Sequence, residues 1–155
     1  PAAITRSQLN RQQLTSASAT SRTIANATTV TSSKGWFVDF DLTAGERIVT
    51  DPAIAINSLV FTTNIPSNTD PCRPGGSSWF YTVDFATGGM VPNSTSAGSF
   101  LGNALASRPI LVKLPNGNII ALVRESDAST ASLSVAAGGN TGIPRRVSWR
   151  EVRKQ

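Results

Sequence analysis

Apolar and polar residues alternate most sharply from Lys34 onward. In residues 35–42, Trp36, Val38, Phe40 and Leu42 fall on one face, while Phe37, Asp39 and Asp41 fall on the other. A period of two places successive side chains on opposite faces, so the pattern predicts a half-buried β-strand. Residues 43–52 read as a turn followed by a short strand, and residues 53–66 as a hairpin turning at Asn57-Ser58. A stretch rich in Pro, Gly, Asn and Asp, 67–76, predicts a loop. Alternation returns over 77–89, with Trp79, Tyr81, Val83 and Phe85 on one side. Residues 86–107 carry Gly, Ser, Asn and Ala and predict a long excursion. The clearest hairpin spans 108–126, two Ile/Leu/Val runs joined at Asn116-Gly117. A short run at Leu133 and Val135 precedes a last strand at 145–153. The opening residues 1–33 are polar, and Leu9, Leu14 and Ile24 are spaced too widely for an amphipathic helix. One or two edge strands with loops are expected there. The architecture these patterns predict is all-β.

Two resemblances within the chain sharpen this picture. WFVDF, from Trp36, recurs as WFYTVDF, from Trp79, and DPAIAINSLVFTTN, from Asp51, resembles RPILVKLPNGNIIALV, from Arg108. The first spacing is close to the repeat of about 40–50 residues found in propeller blades. Small sheets that cannot bury both faces alone pack radially around an axis, so the repeats predict a sector of a β-propeller with about two to three four-stranded blades. The same recurrence also fits a β-sandwich. Residues 1–155 are therefore expected to form either a single all-β domain or the C-terminal fragment of a larger propeller.

Composition supports an exported β-protein. Charged residues make up 15% of the chain, against roughly 25% in an average soluble protein. No apolar run approaches the length of a membrane span, and the chain opens at Pro1 without a signal peptide, so a fragment or processed piece with any export signal upstream is expected. The net charge of +5 raises nucleic acid as a partner. The excess, however, gathers at Arg145, Arg146, Arg150, Arg153 and Lys154, interleaved with Val147, Trp149 and Val152. That arrangement reads as a solvated basic edge, and no nucleic-acid partner is expected. Cys72 is the single cysteine, so it pairs outside the chain or stays a buried free thiol.

The chemistry-bearing constellations fail one by one. Histidine is absent, which removes Ser-His-Asp, Cys-His and His-metal arrangements. The pairs Gly75-Gly76, Gly88-Gly89 and Gly138-Gly139 lack the spacing and the Lys-Ser/Thr ending of a phosphate loop. Asp39 and Asp84 both precede a Phe and are expected to fix turns by accepting backbone amides. Glu46 and Arg47 are expected to form a turn salt bridge or backbone clamp. Trp36, Trp79 and Trp149 are expected to pack between blades, each burying a large area.

The order of motifs along 34–89 resembles the PilC/PilY1 family of type IV pilus tip adhesins and biogenesis factors, in its C-terminal propeller portion. The matching residues are Gly35-Trp36-Phe37, the turn Gly45-Glu46-Arg47, and Phe61 to Ser67 with Pro66. They continue with Pro71 to Trp79, which holds Cys72, Gly75 and Gly76, and with the Asp84–Thr87–Gly88–Gly89 turn. Ser148 to Glu151, with Trp149, resembles the closing strand. The resemblance implies a non-enzymatic role in pilus biogenesis and adhesion. It also implies export to the cell surface and pilus tip, and contact with minor pilins, a host-cell or surface receptor, and the rest of the propeller upstream. The loops 67–77 and 90–107 are the candidate binding loops. Some relatives carry a calcium loop after the TGG turn, but residues 90–107 hold no Asp or Glu, so no cofactor is expected. The competing class is a quinoprotein-like redox enzyme or an assembly scaffold, which shares the D-x-x-TG turn. The enzyme would need adjacent cysteines and metal-binding carboxylates, and the sequence shows neither.

Overall fold

A computed structural model describes residues 3–25, 34–67 and 75–136. A single 3-10 turn, Arg6–Gln8, is the one helical element among them. Eleven strands follow: β1 (Asn10–Gln12), β2 (Leu14–Ser16), β3 (Ser21–Ile24), β4 (Trp36–Val38), β5 (Ala53–Ala55), β6 (Ser58–Ser67), β7 (Gly75–Asp84), β8 (Gly98–Gly102), β9 (Ile110–Lys113), β10 (Ile119–Arg124) and β11 (Thr130–Ser134). They form a six-stranded sheet in the order β2-β3-β8-β7-β6-β5, a three-stranded sheet β11-β10-β9, and a parallel pair β1-β4. The fold is all-β with open sheets, consistent with a propeller sector. Its strands divide as six, three and two rather than into even fours.

The central hairpin β6–β7 explains the core. Its registered pairs Phe61–Tyr81 and Thr63–Trp79 share one face, and Val60–Thr82 and Thr62–Phe80 share the other. Both faces are buried. On the first face Phe61, Trp79, Tyr81 and Val83 pack with Leu14 and Ile24, and Trp36, Val38 and Phe40 close over them. On the second face Val60 and Phe80 meet Ala121 and Val123 of the smaller sheet, together with Ala106. A sheet covered on both sides reads as a nearly continuous apolar run, which is why 59–65 and 79–83 carry so few charges.

Several expectations need correction. The opening segment supplies three strands, and β3 is internal to the large sheet, because Leu14 and Ile24 each find a place in the core. The strand predicted over 35–42 stops at Val38, and Leu42 is exposed. No strand follows the turn at 43–46; Arg47 makes only an isolated bridge to Asn64. The hairpin between β5 and β6 turns at Ile56-Asn57, whose φ values of 42° and 62° match a turn twisted with its strands. Residues 86–107 are not an excursion, since β8 lies between β3 and β7. The two WF motifs are not equivalent either: one forms a three-residue parallel strand and the other the ten-residue β7. The last predicted strand, Trp149, Cys72 and the basic cluster from Arg145 lie outside the described residues.

Side chains of the large sheet stitch the smaller one to it. Asn64 donates through Nδ2 to the carbonyl of Ala106 at 3.0 Å and accepts from its amide through Oδ1 at 2.7 Å. The amide of Asn64 thus imitates a neighbouring strand for one residue. Thr62 donates to the carbonyl of Ser107 at 2.9 Å, and Ser58 to that of Ala136 at 2.6 Å. Replacing Asn64 by Leu orphans two buried backbone groups at Ala106. Urea denaturation is expected to show a loss of about 3 kcal/mol, at the upper end for unmet buried groups; an unchanged midpoint would remove the clamp from this account.

Candidate functional site

Four positions lie in one row across the large sheet. Arg22 on β3 pairs with Gly98 on β8, Gly98 pairs with Tyr81 on β7, and Tyr81 pairs with Phe61 on β6. A Cβ on Gly98 would stand 2.6 Å from Cε1 of Tyr81. The missing side chain therefore lets the Tyr81 ring lie across β8 toward Arg22. Phe61 stacks on that ring at 5.1 Å, and Phe40 covers it at 5.6 Å.

Glu46 drops into this row from the 43–46 turn. Arg22 Nη1 donates to both carboxylate oxygens, at 2.7 and 2.6 Å, and also to the hydroxyl of Tyr81. Thr63 and Tyr81 donate to Glu46 Oε1 at 2.7 and 3.0 Å, and Arg22 Nη2 donates to Thr43 at 2.9 Å. The guanidinium lies 3.8 Å from the Trp79 ring centroid, a cation–π arrangement. Burial acts against the Arg22 charge, but the hydrogen bonds to Glu46 and Tyr81 and their charges outweigh it, leaving its pKa raised. Burial, joined by the negative charge of Glu46, pushes the Tyr81 phenol well above its ordinary value. Glu46 thus pairs with Arg22 rather than with its neighbour Arg47, whose side chain is exposed. The cluster is closed and satisfied: it can hold a turn on a sheet, and it offers no open coordination position.

A second constellation surrounds the 84–89 turn. Asp84 Oδ1 accepts from the amides of Ala86 and Thr87, at 3.0 and 2.8 Å, and from the Thr87 hydroxyl at 2.9 Å. Gly89 returns its carbonyl to the amide of Asp84. Gly88 has φ +72°, and a Cβ there would stand 2.2 Å from the Trp36 ring. Trp36 lies over this turn and donates to the carbonyl of Phe85 at 3.0 Å. Asp39 does not match Asp84 in role. It pairs with Arg6 and Arg11 on the surface, while Arg6 also stacks on Phe37. Gly45 takes the positive φ of its turn, +81°, and Gly35 lends its carbonyl to Asn10. Gly76 packs against the backbone of Ile65 and Pro66, and Gly75 opens β7.

Open space lies elsewhere, in a cleft between β7, β8 and β11 lined by Phe80, Thr82, Ser99, Leu133 and Ser134, with Ser94, Ser96, Ala97 and Ala136. Sequence reasoning missed this cleft, because hydroxyls on three separate segments carry no spacing signal. It missed Arg22 too, although Arg22 shares the period-two face of Ile24 and was readable as inward. Of the candidate loops, 68–74 lies outside the described residues, and much of 90–107 is the half-buried strand β8 and its flanks.

Open sheets, with an Asp-x-x-Thr-Gly-Gly turn closing the central strand β7, make the chain all-β and consistent with a sector of a β-propeller. It is 31% identical to a type IV pilus biogenesis factor PilY1 homolog of Xylella fastidiosa over 136 aligned positions, which cover 76% of this chain. It is 40% identical to the type IV pilus biogenesis factor PilY1 of Pseudomonas aeruginosa over 62 positions, or 38% of the chain. A second homolog of Xylella fastidiosa is 36% identical over 62 positions. The chain belongs to the PilY1-like family. It spans 11% of the length of the first of these relatives and 5% of the second. No protein-family profile matches it, and no solved structure matches it.

Two outcomes test the buried cluster. Arg22→Met leaves Glu46 buried without its cation and is expected to cost about 3–5 kcal/mol in chemical denaturation, with much of it restored when Glu46→Met is added. Equal losses in single and double variants would show that packing, not charge, sets the cost. The chain has one tyrosine, so tyrosinate absorbance reports Tyr81 alone. The folded state holds its proton more tightly than the unfolded chain, where a phenol ionises near 10. The resulting stability is whole below about pH 10 and is lost as pH rises toward the folded value. Tyrosinate is expected to appear only together with loss of structure; ionisation near pH 10 in an intact fold would overturn this.

Proposed function

We propose that the chain is a non-enzymatic part of a type IV pilus biogenesis factor that is exported to the cell surface. There it works at the pilus tip with minor pilins, contacts a host-cell or surface receptor, and needs no cofactor. The observation that carries this reading is its 31% identity, across most of the chain, to a relative named for pilus biogenesis. The physical character of the molecule supports it. A sheet buried on both faces of its central hairpin, with a charged pin across its strands and an Asx-type turn closing β7, makes a stiff support. Stiff scaffolds that leave binding to their loops suit a part under load. No helix among the described residues is long and apolar enough to cross a membrane.

The test is to delete the codons for these residues in the source organism, confirm export of the shortened protein by immunoblot, and count surface pili by electron microscopy. Few or no pili is the expected result. Normal piliation with lost adhesion would confine the role to receptor contact, against direct biogenesis. Normal pili, twitching and adhesion together would sink the reading.

A further inference from the structure

The three-stranded sheet ends on an open edge. β11 pairs with β10 on one side and, among the described residues, with no strand on the other. The Val135 amide donates to the carbonyl of Ile119. Alternation along an antiparallel ladder then turns the amides of Ser132 and Ser134 outward, away from β10. An edge of outward amides is a template for another strand. The side chains of β11 alternate as well. Ala131 and Leu133, opposite Val123 and Ala121, face the large sheet, while Thr130, Ser132 and Ser134 are exposed.

The cleft between β7, β8 and β11 lies along this edge, with Phe80 and Leu133 in its wall. Its open space of about 180 Å³ is close to the roughly 150 Å³ that holds a single aromatic ring. Ala136, the last described residue, also lines the cleft, and its carbonyl accepts from Ser58 at 2.6 Å. The chain therefore leaves the described region at the cleft itself, with residues 137–155 still to follow.

Those residues carry a matching sequence pattern. Val147 and Trp149 alternate with Arg146, Ser148 and Arg150, apolar against polar as on β11. Before them, Gly138, Gly139, Asn140 and Gly142 are residues suited to a turn. β9, β10 and β11 already run as a meander in which each strand pairs with the next, and consecutive strands are neighbours roughly two-thirds of the time.

We propose that residues 145–153 dock on the outer edge of β11 as a fourth strand, seating Trp149 in the cleft against Phe80 and Leu133. A slip of one residue would turn Arg150 into the cleft instead, so the pattern selects one facing. Arg146, Ser148 and Arg150 then extend the exposed row of Ser132 and Ser134.

The test is amide hydrogen exchange on the full chain, followed residue by residue by NMR, beside a chain shortened to end at Ala137. The Ser132 and Ser134 amides are expected to be protected in the full chain. In the shortened chain they are expected to exchange about a hundredfold faster, as locally opened amides do. Trp149→Ala is expected to move the Leu133 methyl resonances, which the indole ring displaces in the parent, whereas Trp149→Phe keeps part of that displacement. Fast exchange of both amides in the folded full chain overturns the proposal, whether or not the shortened chain folds. Protection that a folded shortened chain retains overturns it too, since a second copy or another segment would then cover the edge. Leu133 methyls indifferent to Trp149→Ala overturn the seating of the indole in the cleft.

Discussion

A carboxylate without water must be surrounded by donors, and Glu46 meets this demand with partners drawn from three strands. Arg22 arrives on β3, Thr63 on β6 and Tyr81 on β7. The arrangement works only because Gly98 leaves β8 bare between Tyr81 and Arg22. One absent side chain thus lets three present ones converge. The surrounding aromatics follow from it: Trp79 covers the guanidinium, and Phe40 and Phe61 wall off the phenol. In so dry a setting the ion pair is not chiefly a source of stability, since desolvation offsets much of its attraction. Its effect is to fix register. A slip of one residue in β3 would turn Arg22 away and bury Glu46 alone.

The two faces of the large sheet solve different problems. On the Tyr81 face the cover is aromatic and the fit is by shape. On the Phe80 face the cover is another sheet, and Thr62, Asn64 and Ser58 hold it by side-chain bonds to backbone. Polar residues are tolerated in that interface because each meets a peptide group that would otherwise lack a partner.

Much of this was legible in the alternation. Trp79, Tyr81 and Val83 share a face as their spacing requires, and Trp36, Val38 and Phe40 do the same. The hairpin at Asn116-Gly117 forms, with Gly117 at φ +90°. Where the reading failed, the cause was tertiary. β3 looks peripheral because Ser21, Arg22 and Thr23 are polar, yet Arg22 is inward once Glu46 is there to receive it. β8 looks like a loop because it opens on Gly98, which makes room for Tyr81 rather than packing. Glu46 and Arg47 are adjacent in sequence, but neighbouring residues beyond a turn point different ways, and the true partner of Glu46 lies on another strand. Nothing in the spacing of Ser94, Ser96, Ser99, Thr82 and Ser134 reveals that they meet, since their meeting depends on how two sheets stack.

The position of β3 also governs the order in which the molecule can be built. Its outer neighbour β2 follows directly from the chain, but its inner neighbour is β8, with Ser21 opposite Ser99. The hairpin β2–β3 must therefore wait, as an exposed two-stranded ribbon, until most of the chain has been synthesised. Such ribbons are marginal alone, and pairing across so long a span is slow. While it waits, Arg22 is solvated and Leu14 and Ile24 are uncovered. Seating this ribbon against β8 desolvates the arginine and brings Leu14 and Ile24 over the Tyr81 face.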